Sequence, residues 1–292
     1  MNKEAMQQLI VDSLSKRLGE DFHISIHEVL KTNIKLDGLI ILKKGDNISP
    51  TIYLDSFYKE LDNGAFLDGV VDEILYAYFD ARIDPSHFDT ASIQNFDYVK
   101  DKLYVKLINR HFNKELLQNV PHLLFLDDFA IIIRCLLETS AKGNASFLIH
   151  NEHLNMWHMD QNALMSLAIK NTRKVLGLNL QNIKNVLQEL SPNLVADDSP
   201  DIPMWVMTNN QKLAGAATIL FDDILKDFAD IYGDFYVIFS SVHEVLLIPA
   251  SSNADISFLA EVNQMVNATD VQPDELLGTK AYLYSKERGF VL

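Results

Sequence analysis

A short polar cluster, Ser240, Ser241, His243 and Glu244, separates two apolar segments in the last fifth of the chain. A serine beside a histidine is the combination of nucleophile and base used in covalent hydrolysis, and histidine with glutamate can bind a metal ion. Neither pattern is specific here. The serines lack the G-x-S-x-G elbow, and His243 lacks a second histidine four residues further on. The plainer interpretation is a structural turn or strand junction.

A second polar run, HNEHLNMWH, contains His150, Glu152, His153 and His158. His150 and His153 would share one face only if this run were helical. The plainer interpretation is a polar connection that ends before Asp160, which is a plausible helix N-cap. His23 and His27 lie on a predicted strand, where four residues span about 13 Å, so the pair cannot share one ion. The sequence therefore predicts no metal site.

Phosphate-binding loops are also absent from the sequence. The 11 glycines are dispersed, and no G-x-G-x-x-G or Walker pattern occurs. Asp222 and Asp223 could serve in acid–base chemistry, but they open a segment whose acidic residues recur every three or four positions. That spacing is typical of a solvated helix face. No cofactor is predicted.

Composition limits the classes of partner. The 292 residues include 25 basic and 40 acidic side chains, for a net charge of −15, and 48% are hydrophobic. The excess of acid disfavours nucleic acid, which is bound through Lys and Arg. Residues 193–292 alone carry 15 acidic and 5 basic side chains. An acidic mimic of DNA is a third interpretation, but the basic residues argue for a mixed surface.

Membrane insertion and secretion are not predicted either. No run of about 18 apolar residues occurs, and the first 21 residues mix both charge signs with apolar residues at helical spacing. The single Cys135 cannot form an internal disulfide. We therefore expect a cytoplasmic protein that is monomeric or weakly dimeric.

Hydrophobic periodicity predicts strands and helices in both halves of the chain. Strands are predicted at 22–30, 36–43, 51–54, 103–108, 129–137, 145–150, 204–208, 235–240, 244–249 and 281–285, and helices at 66–82, after Asp160, and at about 180–190, 213–232 and 254–267. The predicted class is α+β, with mixed sheets and flanking helices. Residues 191–203, SPNLVADDSPDIP, read as a linker between a larger N-terminal region, 1–190, and a smaller C-terminal unit, 204–292. The two parts could also pack as one domain.

One short internal similarity stands out. SIHEVL at 25–30 and SVHEVL at 241–246 differ only at Ile26 and Val242. The plainer interpretation is coincidence between two half-buried strands, and the alternative is a duplicated half-domain.

Three longer blocks carry a resemblance to a known family. HEVLKTNIKLDGLIIL, KLINRHFNKELLQNVPHLLFLDDFAII and MTNNQKLAGAATILF resemble a family of uncharacterised bacterial proteins, common in anaerobic gut species and known as a domain of unknown function. The resemblance covers nearly the whole chain. It implies a bacterial cytoplasmic protein and no particular activity.

The function that we predict is a binding or interaction module, because no catalytic pattern exceeds its structural interpretation. The alternative is a hydrolase that uses the cluster at 240–244. The helical segment between strands 204–208 and 235–240 is long enough for a parallel crossover, which would bring both carboxyl ends to one edge. We therefore predict that Asn209, Ser241 and His243 line the functional concavity. The alternative is that the two strands are antiparallel or are not neighbours.

Overall fold

The fold is described by a computed structural model that covers residues 2–46, 49–81, 90–140, 143–190, 202–252, 255–269 and 271–291. Contacts within the chain divide it into two units, Met1–Gln94 and Asn95–Leu292. Both units combine helices with antiparallel sheets. The predicted α+β class is confirmed.

The described residues of the first unit form one sheet and three α-helices. In chain order these are α1 (Lys3–Leu18), β1 (Phe22–Lys31), β2 (Ile34–Lys43), β3 (Thr51–Tyr53), α2 (Asp55–Asp62) and α3 (Leu67–Ala81). The sheet has the order β1-β2-β3 and is antiparallel throughout. Its core forms because α1 buries Ile10 and Leu14, α3 buries Val71 and Ile74, and β2 contributes Leu39. Three- and four-residue spacing places each helical pair on one face.

The second unit begins with a four-stranded sheet. In chain order, this part of the unit contains α4 (Phe96–Val99), β4 (Leu103–Asn109), β5 (His122–Phe125), β6 (Phe129–Ser140), β7 (Gly143–Leu148), α5 (Asn151–Trp157) and α6 (Gln161–Leu176). The long strand β6 pairs with β4 along one side and with β5 and β7 along the other. The strands predicted at 129–137 and 145–150 thus lie side by side as β6 and β7. Asp160 caps α6, and its Oδ1 accepts from the backbone N–H groups of Asn162 and Ala163.

A six-stranded sheet completes the second unit. Its elements are β8 (Asn179–Asn182), α7 (Ile183–Leu190), β9 (Trp205–Thr208), α8 (Asp222–Tyr232), β10 (Phe235–Ile238), β11 (Val245–Pro249), α9 (Ile256–Thr269), β12 (Ala281–Ser285) and β13 (Gly289–Val291). The strand order is β13-β12-β10-β11-β9-β8. Because β9 and β10 both pair antiparallel with β11, they run in the same direction. Their carboxyl ends share one edge, although β11 lies between them.

The segment predicted as one helix, 213–232, is divided in the structure. A 3-10 helix spans Gly215–Leu220, and α8 starts at Asp222. The division has a packing reason. A Cβ atom on Gly215 would lie 2.0 Å from the carbonyl oxygen of His243, so only a glycine allows this approach. The six residues of the 3-10 helix thus lie against the loop that follows β10.

The predicted linker lies almost wholly outside the described residues, which omit 191–201. Its role as a linker stays a prediction. The strand before it, β8, pairs with the strand after it, β9, over Asn179–Asn182. Both strands belong to the second unit, and the division between units falls earlier, after Gln94.

Candidate functional site

The loop after β10 carries most of the candidate site, and three backbone hydrogen bonds hold it. Leu277 N–H donates to the carbonyl of Ser240 over 3.0 Å, and Val242 N–H donates to Glu275 over 2.8 Å. Ala216 N–H, in the 3-10 helix, donates to Val242. The loop is therefore pinned on both sides by segments distant in sequence.

The loop after β9 lies beside it at the same edge of the sheet. Asn209 is fully buried, and its Oδ1 accepts from the N–H groups of Gln211 and Leu213 while its Nδ2 donates to Leu213 O over 2.7 Å. Lys212 and Ala214 both have a φ of 50°, a left-handed conformation that costs a non-glycine residue about 1–2 kcal/mol. Asn209 thus holds a strained loop in place.

Together the two loops and residues 271–275 form an open cavity of about 510 Å³. The cavity is lined by Lys212, Ser240, Ser241, His243, Glu244, Val271 and Glu275. Ser241 and His243, two of the three residues predicted to line the functional concavity, lie in the wall of this cavity, and its functional role stays a prediction. The side chain of Asn209 does not lie there, because its amide is occupied by the backbone of the loop that it supports.

His243 connects the two loops with the 271–275 segment. Its Nδ1 lies 3.2 Å from the carbonyl oxygen of Lys212, and its Nε2 lies 3.3 Å from Oε1 of Glu275. His243 thus ties the loop after β9 to the 271–275 segment at the rim of the cavity.

Glu244 is the half-buried carboxyl group of the cavity. Burial raises the pKa of this group above its usual value, while the charge of His243 and a hydrogen bond from Ser241 act in the opposite direction. Glu275 adds a repulsive charge that again raises the pKa. Glu244 is thus a poorly solvated carboxyl group.

The two serines do not form a nucleophile and base pair with His243. The Ser240 hydroxyl donates to Oδ1 of Asn267 over 2.7 Å, and the Ser241 Oγ accepts from the backbone N–H of His243 over 2.9 Å. Within the described chain, neither hydroxyl bonds to the His243 ring. The predicted cluster therefore assembles as a polar wall of a cavity.

The comparison with known proteins gives one result. A model of a family of unknown function, DUF5688, matches residues 3–286. The chain belongs to this family. No curated protein and no solved structure matches it. Membership in this family implies no particular activity. The bacterial source implied by the resemblance stays a prediction.

None of the helices in the described ranges has the length and apolar composition needed to cross a bilayer. Within the same ranges, no group of three or more His, Cys, Asp or Glu residues is placed to hold a metal ion.

The histidine run at 150–158 forms the whole of the short helix α5, with His150 as its N-cap and His158 as its C-cap. His153 Nδ1 accepts from the backbone N–H of His150 over 2.9 Å, and the His153 ring packs 5.3 Å from that of Trp157. Burial and the neighbouring His150 lower the pKa of His153. The thiol of Cys135 is buried, which raises its pKa to about 12. Neither group has the exposure and activation expected of a reactive side chain.

Glu275 and Lys212 are the lining residues with charged side chains that the sequence did not predict. Glu275 lies some 30 residues after His243 in a segment without a strand pattern, and Lys212 lies in a polar loop. No spacing rule connects either of them to the cluster at 240–244. Only the pairing of Ser241 with Leu276 brings Glu275 to the cavity.

Proposed function

We propose that this protein is a binding module whose cavity takes a small polar ligand with an ammonium or guanidinium group. The observation that carries the proposal is the assembly of His243, Glu244 and Glu275 around one open cavity of about 510 Å³. That volume lies within the usual range for small-molecule sites. The residues come from segments that only the fold brings together.

The chemistry of the wall favours a cation. Glu244 is half-buried, and its carboxyl group is compensated only in part by Ser241 and the charge of His243. A ligand ammonium or guanidinium group would supply the missing counter-charge through charge-assisted hydrogen bonds. Lys212 lies at the exposed rim, where it can meet a ligand carboxylate. A zwitterion such as an amino acid therefore fits both ends.

A hydrolase is the second candidate, and the presence of Ser241 in the cavity is the observation in its favour. The hydroxyl, however, accepts from the backbone N–H of His243 and is not bonded to the imidazole. General-base activation requires that contact. We expect no turnover of a chromogenic ester above that of a Ser241→Ala variant.

The test of the binding proposal is calorimetric titration with arginine, putrescine and succinate. We expect the two cations to bind and the dianion not to bind. Glu244→Gln should weaken binding roughly 10- to 100-fold, because a hydrogen bond to a charged group contributes about 1.5–3 kcal/mol.

Glu28→Gln is the matched control, because Glu28 holds the same place in the other HEVL sequence and is exposed. It should leave binding unchanged. Equal affinity of Glu244→Gln and the parent protein for the cations, or preferential binding of succinate, would contradict the proposal.

We further propose a cytoplasmic, monomeric or weakly dimeric protein that does not bind nucleic acid. The net charge of −15 supports this, since like charge repels phosphates and opposes self-association. Gel filtration should give the mass of one chain. A mobility-shift assay at about 150 mM salt, near physiological ionic strength, should show no submicromolar binding of duplex DNA.

A further inference from the structure

A second concavity lies at the other end of the central strands of the six-stranded sheet, away from the first cavity. It has a volume of about 430 Å³ and lies where β9 begins and β11 ends. Its lining includes Pro203, Trp205, Ile231, Tyr232, Pro249 and Ser251. We call it the Trp205 groove. Its composition contrasts with that of the first cavity, because aromatic, proline and aliphatic side chains predominate.

The groove contains apolar side chains that are exposed to solvent and not buried in the core. Ile231, on the last turn of α8, is 73% exposed. Beside it the rings of Trp205 and Tyr232 pack with their centroids 4.4 Å apart, so they present a rigid, half-buried apolar floor. Apolar patches bordered by polar residues mark interaction sites on soluble proteins.

The border of the groove is acidic. Asp227 lies one turn before Ile231 on the same face of α8, and Asp234 follows after Gly233. Both carboxylates are exposed. Three of the four aspartates of α8 pair with cations: Asp222 with Lys226, Asp223 with Arg173 and Asp230 with Lys286. Asp234 also accepts from the backbone N–H of Lys286. The surplus negative charge beside the groove therefore rests on the carboxylates of Asp227 and Asp234. An occupant must therefore supply apolar contact at the centre and positive charge at the margins.

This charge distribution selects among classes of occupant. An anionic membrane surface or a nucleic acid would be repelled by the aspartates. A second copy of this chain, docked symmetrically, would place identical acidic borders against each other. We propose that the Trp205 groove docks a short peptide segment of a partner protein, with Leu or Pro at its centre and Lys or Arg on both sides. Aromatic-lined grooves are the common docking surface for such extended proline-containing segments.

The groove and the first cavity are independent sites. β9 starts in the groove at Trp205 and ends at Thr208, next to the loop that borders the cavity. The two sites thus occupy opposite ends of the same strands. A bound peptide would leave the cavity open, so failure of one proposal does not decide the other.

The test is to titrate the full chain with three synthetic peptides. Binding is detected as shifts in the NMR signals of the two indole N–H groups. One peptide has a Leu-Pro centre with Lys at both ends, the second has Glu in place of Lys, and the third has Ser in place of Leu and Pro. We expect only the first to bind and to shift the signal of Trp205. The signal of Trp157, buried in a different part of the second unit, should not move.

Two variants and a control complete the test. Ile231→Ser should weaken binding of the first peptide at least tenfold, and Asp227→Asn should weaken it several-fold and reduce its dependence on salt. Phe258→Ser is the control, because Phe258 is also exposed, at 61%, but lies on α9 outside the groove. It should have no effect.

Three results would overturn the proposal. They are equal binding of the Lys and Glu peptides, unchanged binding by Ile231→Ser, and a dimer in gel filtration that Ile231→Ser dissociates. The last result would assign the groove to a second copy of the chain.

Discussion

Two nearly identical hexapeptides, at 25–30 and 241–246, have different structures and surroundings. The first lies inside β1 and pairs along its whole length with β2. The second begins in the loop after β10, where Ser241 forms an isolated bridge with Leu276, and its last two residues, Val245 and Leu246, open β11. They are therefore not copies of one structural repeat. The same side-chain types take different roles because different segments pack against them.

The histidines and glutamates show the difference most clearly. His27 is exposed, and its Nε2 contacts Oγ of Ser25, two residues away. His243 instead contacts Lys212 and Glu275, each about 30 residues distant. Glu28 forms a surface ion pair with Lys35, whereas Glu244 is half-buried in the cavity wall. Contacts with residues distant in sequence thus decide the burial and the hydrogen-bond partners of each side chain.

The largest expected effect on stability comes from substituting the glycine next to each histidine, Gly215 beside His243 and Gly38 opposite His27. A Cβ on Gly215 would lie 2.0 Å from the His243 carbonyl oxygen, which belongs to the backbone and cannot rotate away. Gly215→Ala should therefore lower the free energy of unfolding by about 3 kcal/mol or more. On Gly38, opposite His27, the Cβ would first meet methyl groups of Val29 and Thr51, at 2.5 and 2.7 Å, while the His27 carbonyl oxygen lies at an ordinary contact distance of 3.6 Å.

We expect Gly38→Ala to cost about 1–2 kcal/mol. Urea unfolding followed by circular dichroism measures both variants. A larger loss for Gly38→Ala than for Gly215→Ala would break the comparison.

The next effect concerns one buried carboxylate in each unit. Asp37 accepts from Tyr58 at 2.8 Å, from Lys3 at 3.1 Å and from Gln7. In the second unit, Asp128 accepts from Lys280 at 2.7 Å, from His111 at 3.1 Å and from the hydroxyl of Tyr282.

Burial alone would raise the pKa of each carboxylate, but the hydrogen bonds outweigh burial and lower it below 3.8. A lowered pKa in the folded state means that the stabilisation is present above 3.8 and is lost as the pH falls below that value.

We expect Asp37→Asn and Asp128→Asn each to cost about 2 kcal/mol at neutral pH. The cost should shrink as the pH falls below 3.8, because the parent protein then loses the same interaction. Chemical denaturation at a series of pH values measures it. A cost that is independent of pH would show that the charge of the carboxylate does not matter.

A smaller effect is expected from the histidines themselves. His243→Ala removes two contacts in a half-buried setting and should cost about 1 kcal/mol. His27→Ala removes one exposed contact and should stay within about 0.5 kcal/mol of the parent protein. Thermal unfolding of the two variants side by side is sufficient. Equal losses would mean that the contacts of His243 contribute little to stability.

The smallest expected effect is a gain in stability. The pKa of Glu244 is raised in the folded state, so the favourable contribution of its neutral form is present below 4.5 and is lost as the pH rises through the folded pKa. Glu244→Gln keeps the shape of the side chain and removes its buried charge. We expect it to raise the free energy of unfolding at neutral pH by a few tenths of a kcal/mol, because replacing a functional residue that is poorly solvated commonly stabilises a protein.

The gain should disappear at a pH below 4.5, and Glu28→Gln should show none at either pH. Differential scanning calorimetry of the two variants measures both. Destabilisation of Glu244→Gln at neutral pH would contradict the assigned burial of its charge.

Local patterns in the sequence were enough to predict most of the long helices and strands. The alternation of apolar and polar residues predicted the strands at 22–30 and 103–108, and Asp160 was identified as an N-cap. These signals are local, because the side-chain period and the capping hydrogen bond depend only on near neighbours. Short elements such as β5, β8 and α5 were missed, since four to seven residues contain too few periods to be distinguished.

Only the tertiary structure decided the composition of the cavity. Ser241 and His243, which the sequence assigns to a functional concavity, lie in its wall, and the functional role of that cavity stays a prediction. Asn209 was assigned the same role, but its amide is used by the backbone of its own loop. Glu275 reaches the cavity through the bridge beside Ser241. Spacing along a chain specifies which residues share a face of one element, whereas a cavity is formed where loops from several elements meet, and those meetings are set by packing over the whole sheet.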